Sequence, residues 1–337
     1  MTTVAPSYFL TGPGNLESRP WEPAELPPDW VRVRFRFCGL CGSDLSMFEG
    51  RQTISYPIAV GHEFIAEVVE CGDAVDRLSL GDLVTSDLNY RCGKCGPCLT
   101  GRSHLCDEGQ IGLFSNRGFA GLGDIHQSYL LRVDTPLAAH LALAEPLSCV
   151  LHGESWANLR LSDEVLVVGA GGMGSCMAFA LCNREQAVPF DITDEMPSRL
   201  SLIAEAVDPI GTAVPAPRGE YDVVFDLSGS ESGLRMACER VKRGGRVCSF
   251  SHLEGYTDGE FLLPTLTPRD ATFTVTYLNG NLENLQRAAT MLAKAWGPRW
   301  DAIIEIVPLR RLQEAYEGRR QSRWCKTMIQ IPDPLGA

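Results

Sequence analysis

Positive charge is scarce in this sequence. Thirty Lys and Arg face 42 Asp and Glu, so 337 residues carry a net charge of −12. No basic stripe is present, and a nucleic-acid surface is excluded as the main purpose, because phosphate recognition needs clustered cations. A polybasic segment for anionic lipid is missing too. The acidity reads as solubility and implies no partner. Long apolar runs are equally rare. The first ten residues hold no basic residue and no apolar core, so they do not read as a secretory signal. Residues 165–182 are long enough for a membrane span, yet four glycines crowd between Gly169 and Gly174. A buried strand, a tight turn and a helix explain that crowding better than a span does. A disulfide framework is also lacking: 13 cysteines, an odd number without a leader, point to a reduced, cytoplasmic chain.

What is present suffices for two domains. Hydrophobic residues make up 45% and charged residues 21%, the balance of a soluble globular protein with two sizeable cores. No internal repeat or low-complexity tract interrupts it. The first 30 residues read as loops and short edge strands. Residues 31–37 alternate Val, Arg, Val, Arg, Phe, Arg, Phe, the period of a half-buried strand. Residues 65–70 and 83–86 predict further short strands, so this half is β-rich. The pattern changes near residue 150. A helix is predicted over 147–159, an apolar strand over 164–168, then glycines, a second helix, and a strand over 188–193 that ends in acidic residues. Residues 221–227, 246–250 and 273–278 continue the series. Alternating strands and helices imply a parallel sheet covered on both faces. After Gly280, Leu282, Leu285, Ala289 and Leu292 share one helical face. Residues 303–331 return to short strands and one helix.

Cys92, Cys95, Cys98 and Cys106 stand with two, two and seven residues between them, and Gly93, Gly96 and Pro97 let that loop bend back. Four thiolates on one short loop suit a tetrahedral zinc with no open position, a structural site. An iron–sulfur cluster and four unrelated thiols are the competing readings.

A second, open site is assembled from separate segments. Cys41, Ser43 and Asp44 lie in Cys-Gly-Ser-Asp, His62 and Glu63 in Gly-His-Glu, and Glu145 in Glu-Pro-Leu. One thiolate, one imidazole and carboxylates suit a catalytic zinc that keeps a position for substrate. Zinc lowers the pKa of a bound hydroxyl, Ser43 is placed to pass the proton outward, and Asp44 is expected to hold the second ring nitrogen of His62. Singly each motif is weak: a lone Gly-His-Glu is more often structural, and Cys41 alone reads as a small buried hydrophobe. Their joint occurrence carries the inference.

Gly169, Gly171 and Gly174 match Gly-x-Gly-x-x-Gly between the apolar strand and a helix, with Gly172 and Met173 inside the motif. The first glycine allows the turn, the second admits a pyrophosphate, and the third lets helix pack on strand. The pyrophosphate is expected at the helix N-terminus. Asp194 follows Gly174 by 20 positions and is assigned to the ribose hydroxyls, with Asp191 as the competitor inside the predicted strand. A carboxylate there repels a 2′-phosphate, which favours NAD over NADP.

In this order the motifs resemble the zinc-containing medium-chain alcohol dehydrogenases, over nearly the whole chain. The resemblance implies α/β with β: a GroES-like β-rich catalytic domain in residues 1–150, a Rossmann NAD-binding domain, doubly wound on a parallel sheet, in 151–280, and a return to the catalytic domain in 281–337. It also implies two zincs per chain, one catalytic and one structural. The nearer likeness is to the sorbitol, threonine and sugar-alcohol branch, where Glu-Pro-Leu stands at the place of a third metal-binding cysteine. Glu145 takes that place, and either it or Glu63 completes the shell around Cys41 and His62. Cys149, one turn later, reads as core. Threonine dehydrogenases commonly carry a histidine where Ser46 stands, which counts against threonine. Residues 41–46 also resemble aminocyclitol dehydrogenases. Residues 118–125 form a longer glycine-rich passage than the family usually has, expected to reshape the substrate mouth, and residues 183–188 lack the usual Gly-Ala lead.

The expected activity is hydride transfer between a secondary alcohol of a polyol, sugar or cyclitol and NAD. The alternatives are a simple alkanol or amino alcohol as substrate, or a non-catalytic NAD-binding scaffold. A homo-oligomer, dimer or tetramer, is expected by resemblance, with residues 273–278 as a pairing edge.

Overall fold

A computed structural model of the chain describes residues 6–22, 24–89, 91–109, 118–250, 260–276 and 278–332. Val165–Val168 is the centre of a six-stranded parallel sheet in the order Gly211–Ala213, Phe190–Thr193, Val165–Val168, Tyr221–Asp226, Val241–Ser249, Thr272–Val275. Phe190 pairs with Val165 on one side and Val223 pairs with Val165 on the other. Both edges and both faces of this strand are therefore covered, and its four residues are all apolar and buried. Val165 and Val167 point into one core with Phe179 and Ile192, while Leu166 and Val168 point into the other with Val224 and Leu234. Each such buried side chain contributes roughly 1.5–3 kcal/mol. The strand order, reversing beside the first strand, is the doubly wound dinucleotide-binding arrangement.

The second sheet has seven strands, in the order Ile304–Pro308, Lys326–Gln330, Trp30–Gly39, Glu63–Cys71, Leu83–Ser86, Leu130–Arg132, with Leu122–His126 also on Trp30–Gly39. Here the alternating residues 31–37 become a strand whose apolar members Val31, Val33 and Phe35 are buried. Near the end of the chain, Met328 pairs with Gly39 and Ile329 with Cys38. Gly39 in turn faces Glu63 across the neighbouring strand. That register places Lys326 beside the metal-motif residues. A small antiparallel sheet of Asn15–Arg19, Ser7–Gly12 and Ile58–Ala59 completes the β-rich part.

Between the sheets, helix Ala144–Ala157 packs on Gly172–Cys182 and on Leu282–Ala295. It begins three residues before the predicted start, so Glu145 lies in its first turn. Two expectations need correction. Leu282, on the predicted apolar face, is 38% exposed as the first residue of the helix, next to the Asn281 cap, while Leu285, Ala289 and Leu292 are buried. The last parallel strand ends at Val275, and Leu278 already has φ +55°, incompatible with a strand. Among the described residues no helix is long and apolar enough to cross a membrane.

Candidate active site and metal centres

In the cysteine loop, Gly93 and Gly101 adopt φ +72° and +75° and turn the chain around the short helix Gly96–Leu99. The four sulfurs of Cys92, Cys95, Cys98 and Cys106 lie within 4.8 Å of one another. Cys95 N donates to Cys92 Sγ at 3.4 Å, and Cys92 N donates to Cys106 Sγ at 3.3 Å. Amides aimed at sulfur favour thiolate, and they bring the Cys92 thiol down to about 7, led by the amide of Lys94. Four convergent sulfurs with amides on them are the donor set of a closed zinc site.

Cys41, at the N-cap of helix Gly42–Phe48, follows the strand Trp30–Gly39. His62 precedes the strand Glu63–Cys71, after a Gly61 at φ +91° that a side chain would strain. Ligand atoms of Cys41, His62 and Glu63 all lie within 4.8 Å of one another, and His62 and Glu63 are 2% and 1% exposed. His62 Nδ1 is buried without a hydrogen-bond partner. A buried imidazole with a thiol and a carboxylate within 4.8 Å of it fits a zinc ligand set. Asp44 Oδ1 stands 3.6 Å from His62 Nδ1, an ion-pair separation rather than the expected hydrogen bond. The Asp44 carboxylate is engaged elsewhere: it accepts Cys41 N at 3.1 Å and Gly61 N at 3.4 Å. It thus ties together the two loops that carry Cys41 and His62. Burial opposes a charge on His62, but Asp44 and Cys41 beside it outweigh burial and raise its pKa well above the ordinary value. Ser43 lies half-buried in the first turn of the same helix.

Glu145 is 4% exposed, and burial pushes its carboxyl up to about 7, against the lowering influence of His62. Among the described residues no set of three close ligand atoms includes it; Glu63 is the carboxylate that joins Cys41 and His62. Cys149 is not simply core, as its position in the helix suggested. The residue is half-buried and its thiol donates to Glu145 Oε1 at 3.4 Å, because i and i+4 share one helical face. Lys326, which the motifs did not point to, forms a buried ion pair with Glu63. Its sequence setting, one lysine in the apolar run 325–331, carries no signal of a site.

The glycine turn has distinct demands at each position. Gly169 takes φ +101°, and a Cβ there would lie 2.8 Å from Leu227 O. A Cβ on Gly174 would overlap the Gly169 carbonyl oxygen. Gly171, the N-cap of helix Gly172–Cys182, faces open space, which leaves room for a ligand. Met173 is half-buried beside it. Asp194 accepts Ala170 N at 2.7 Å and Met196 N at 2.8 Å, so its carboxylate lies on the glycine turn. Asp191 sits inside the strand Phe190–Thr193 and accepts Tyr221 Oη at 2.8 Å. Residues 118–121 are buried, with Phe119 in the core and Gly118 against Cys38. Residues 110–117 lie outside the described residues.

The profile of the alcohol dehydrogenase GroES-like domain matches residues 27–135. The D-altritol 5-dehydrogenase of Agrobacterium fabrum is 31% identical over 238 residues, 67% of this chain and 70% of that protein. The chain belongs to the zinc-containing medium-chain alcohol dehydrogenases. The L-threonine 3-dehydrogenase of Caldanaerobacter subterraneus subsp. tengcongensis is 28% identical over 264 residues, 73% of this chain and 75% of that protein. The fold agrees with that of an alcohol dehydrogenase from Thermotoga maritima, at TM-score 0.84 and 19% identity over 98% of this chain and all of the other. As a member of this family the chain is a zinc-dependent oxidoreductase of CH–OH groups with a nicotinamide dinucleotide as hydride carrier.

Proposed function

We propose that the protein oxidises a secondary hydroxyl of a polyol, sugar or cyclitol with NAD, or runs that reaction in reverse. The convergence of Cys41, His62 and Glu63 beside the glycine turn carries this reading. Residues 1–150 and 281–337 serve as the catalytic part and 151–280 as the nucleotide part. Zinc, when bound, supplies a Lewis acid that makes an alkoxide accessible near neutral pH. The chain's own residues do the rest. Cys41 and His62 hold the metal, with Glu63 or Glu145 completing the shell. Asp44 fixes the two loops, and Ser43 Oγ passes the substrate proton outward. Gly169, Gly171, Gly172, Met173 and Gly174 receive the pyrophosphate at the helix N-terminus, and Cys92, Cys95, Cys98 and Cys106 hold a structural zinc.

Asp194 supports NAD: its carboxylate already lies on the turn, where a 2′-phosphate would meet like charge. The D-altritol 5-dehydrogenase relative supports a polyol, and Ser46, standing where threonine dehydrogenases commonly carry histidine, weighs against threonine. A dimer or tetramer is proposed through the edge strand Thr272–Val275, where Val275 is 59% exposed, and a cytoplasmic location from the reduced cysteines. The test is a panel of polyols, aminocyclitols, threonine and alkanols with NAD and with NADP. Turnover of polyols or cyclitols with NAD supports the proposal, and turnover restricted to threonine or alkanols contradicts it.

A further inference from the structure

The scarce positive charge of this chain collects near residue 320. Residues 310–323 hold Arg310, Arg311, Arg319, Arg320 and Arg323 against Glu314 and Glu317, in a protein with a net charge of −12. Beside them lies a cavity of about 240 Å³. Its floor is the edge of the seven-stranded sheet, where Glu305 and Thr327 are partners in register. Its roof is the helix Leu312–Gly318 and the turn that follows, with Arg319, Ser322 and Arg323. Side chains alternate across a strand. Val307 and Ile329 belong to the core that Leu312 and Tyr316 of this helix cover, whereas Ile304 and Met328 belong to the core shared with Val165 and Phe179. Glu305 and Thr327 therefore face the helix, and Lys326 faces the metal motif on the other side of the sheet.

Two of these arginines are already paired: Arg311 donates to Glu314 at 2.7 Å, and Arg320 is paired with Glu49. Two that line the cavity are not. Arg319 donates to Trp324 O at 3.2 Å and Cys325 O at 2.7 Å, and among the described residues no carboxylate lies within ion-pair reach of it. Burial, and then the charge of Arg199, bring its guanidinium down to about 10, as befits a half-buried cation short of a counter-charge. Arg199 itself is engaged elsewhere, donating to Ser322 O at 3.2 Å and standing 3.9 Å from Asp194. Arg323 stands over the Trp324 ring, 4.8 Å from its centre, again with no carboxylate partner among the described residues. A cation–π contact uses none of its five N–H donors. Across the cavity, Glu305 Oε2 accepts Thr327 Oγ1 at 3.4 Å, which leaves its other oxygen to accept from a ligand. We propose that this cavity binds a phosphate ester of a sugar or polyol, with the phosphate between Arg319 and Arg323 and a ligand hydroxyl donating to Glu305. Guanidinium forks match phosphate oxygens. Glu305 selects the class of ligand: it repels a bare phosphate and accepts a hydroxyl carried beside one. The site needs neither metal nor dinucleotide, and its occupant ties the turn 319–324 to the sheet edge.

Calorimetric titration of the whole protein tests this, with saturating ADP-ribose present to keep the nucleotide turn filled. Ribose 5-phosphate is the probe and inorganic phosphate the comparison. Ribose 5-phosphate is expected to bind, and inorganic phosphate to bind more weakly. Arg323 is exposed and makes no hydrogen bond among the described residues, so Arg323→Gln is expected to fold with an unchanged melting temperature. It is expected to weaken ribose 5-phosphate by about tenfold or more, the loss of a charge-assisted contact. Arg310→Gln, at an exposed arginine outside the cavity lining, leaves the affinity unchanged and separates a built site from a diffuse basic patch. Glu305→Gln narrows the gap between ribose 5-phosphate and inorganic phosphate. In the wild type, amide exchange of residues 319–325 slows when ribose 5-phosphate binds. No binding of ribose 5-phosphate by the wild type, equal losses in Arg323→Gln and Arg310→Gln, or inorganic phosphate binding as tightly as the ester overturns the proposal. Binding seen only when ADP-ribose is left out places the phosphate on the nucleotide turn and overturns it as well.

Discussion

Two aspartates three residues apart, Asp191 and Asp194, show how much one turn of chain decides. Asp194 takes two backbone amides and lies on the glycine turn, whereas Asp191 is held by the Tyr221 hydroxyl and faces Arg218 at 3.6 Å. Asp194→Ala is expected to raise the KM for NAD about tenfold or more and to reduce the preference over NADP, while Asp191→Asn leaves NAD kinetics nearly unchanged. Steady-state kinetics with both dinucleotides check this, and an unaltered KM in Asp194→Ala contradicts it. The loss of two amide acceptors is also expected to cost about 1–3 kcal/mol of stability. Spacing from the glycines and the end of the predicted strand singled out Asp194 in the sequence. Lys326 and the thiol of Cys149 were not legible in the same way. Lys326 reaches the site through tertiary pairing, by a strand that joins residue 328 to residue 39, and a lone lysine gives no local sign of that, whereas Cys149 meets Glu145 one turn away on the same helix face.

At the scale of elements, the glycine turn and the cysteine loop make different demands. Gly174 leaves no room for a Cβ against the Gly169 carbonyl, so Gly174→Ala is expected to push helix Gly172–Cys182 off its strand, at roughly 1–3 kcal/mol, and to abolish dinucleotide binding. Calorimetric titration with ADP-ribose and a melting curve check both, and wild-type values in each would contradict the packing account. The cysteine loop is tied to the turn before helix Leu282–Ala295: Arg91 donates to Asn279 Oδ1 at 3.0 Å, and His104 N donates to Gly280 O at 3.0 Å. Cys98→Ser is expected to lose one metal and to open residues 92–106 to proteolysis while the parallel sheet stays folded. Protection of that loop equal to wild type would contradict its dependence on metal. The strand over 31–37 and the helix after Gly280 were readable because a period of two and a period near 3.6 differ plainly. The partner of each strand was not, since pairing across some 290 residues leaves no periodic mark.

The whole molecule joins its beginning to its end. Strand Lys326–Gln330 pairs with Trp30–Gly39, and Arg320 forms an ion pair with Glu49. Hydrogen bonding to Arg320 first, and the charges of Arg320 and Arg51 next, hold the Glu49 carboxyl below the usual carboxylate range. A depressed folded pKa gives stability that is present above the unfolded pKa and lost as pH falls through the folded one. Glu49→Gln is therefore expected to be less stable than wild type at neutral pH by about 0.2–1 kcal/mol, as befits a partly exposed pair, and equal to it once both are acidified below the carboxylate range. Urea titrations at two pH values decide this, and a difference that persists in acid would place the effect elsewhere. The order of motifs along the chain made the family legible, whereas the closing of the seven-stranded sheet by the chain's last strand had to be seen. The central claim is that one closed and one open metal site serve one dehydrogenase. Zinc per chain, counted in the wild type beside Cys41→Ser, tests it most directly. About two zincs falling to about one in the variant is the expected result. About one zinc in both would contradict an open zinc site at Cys41 and leave the chain a nucleotide-binding scaffold.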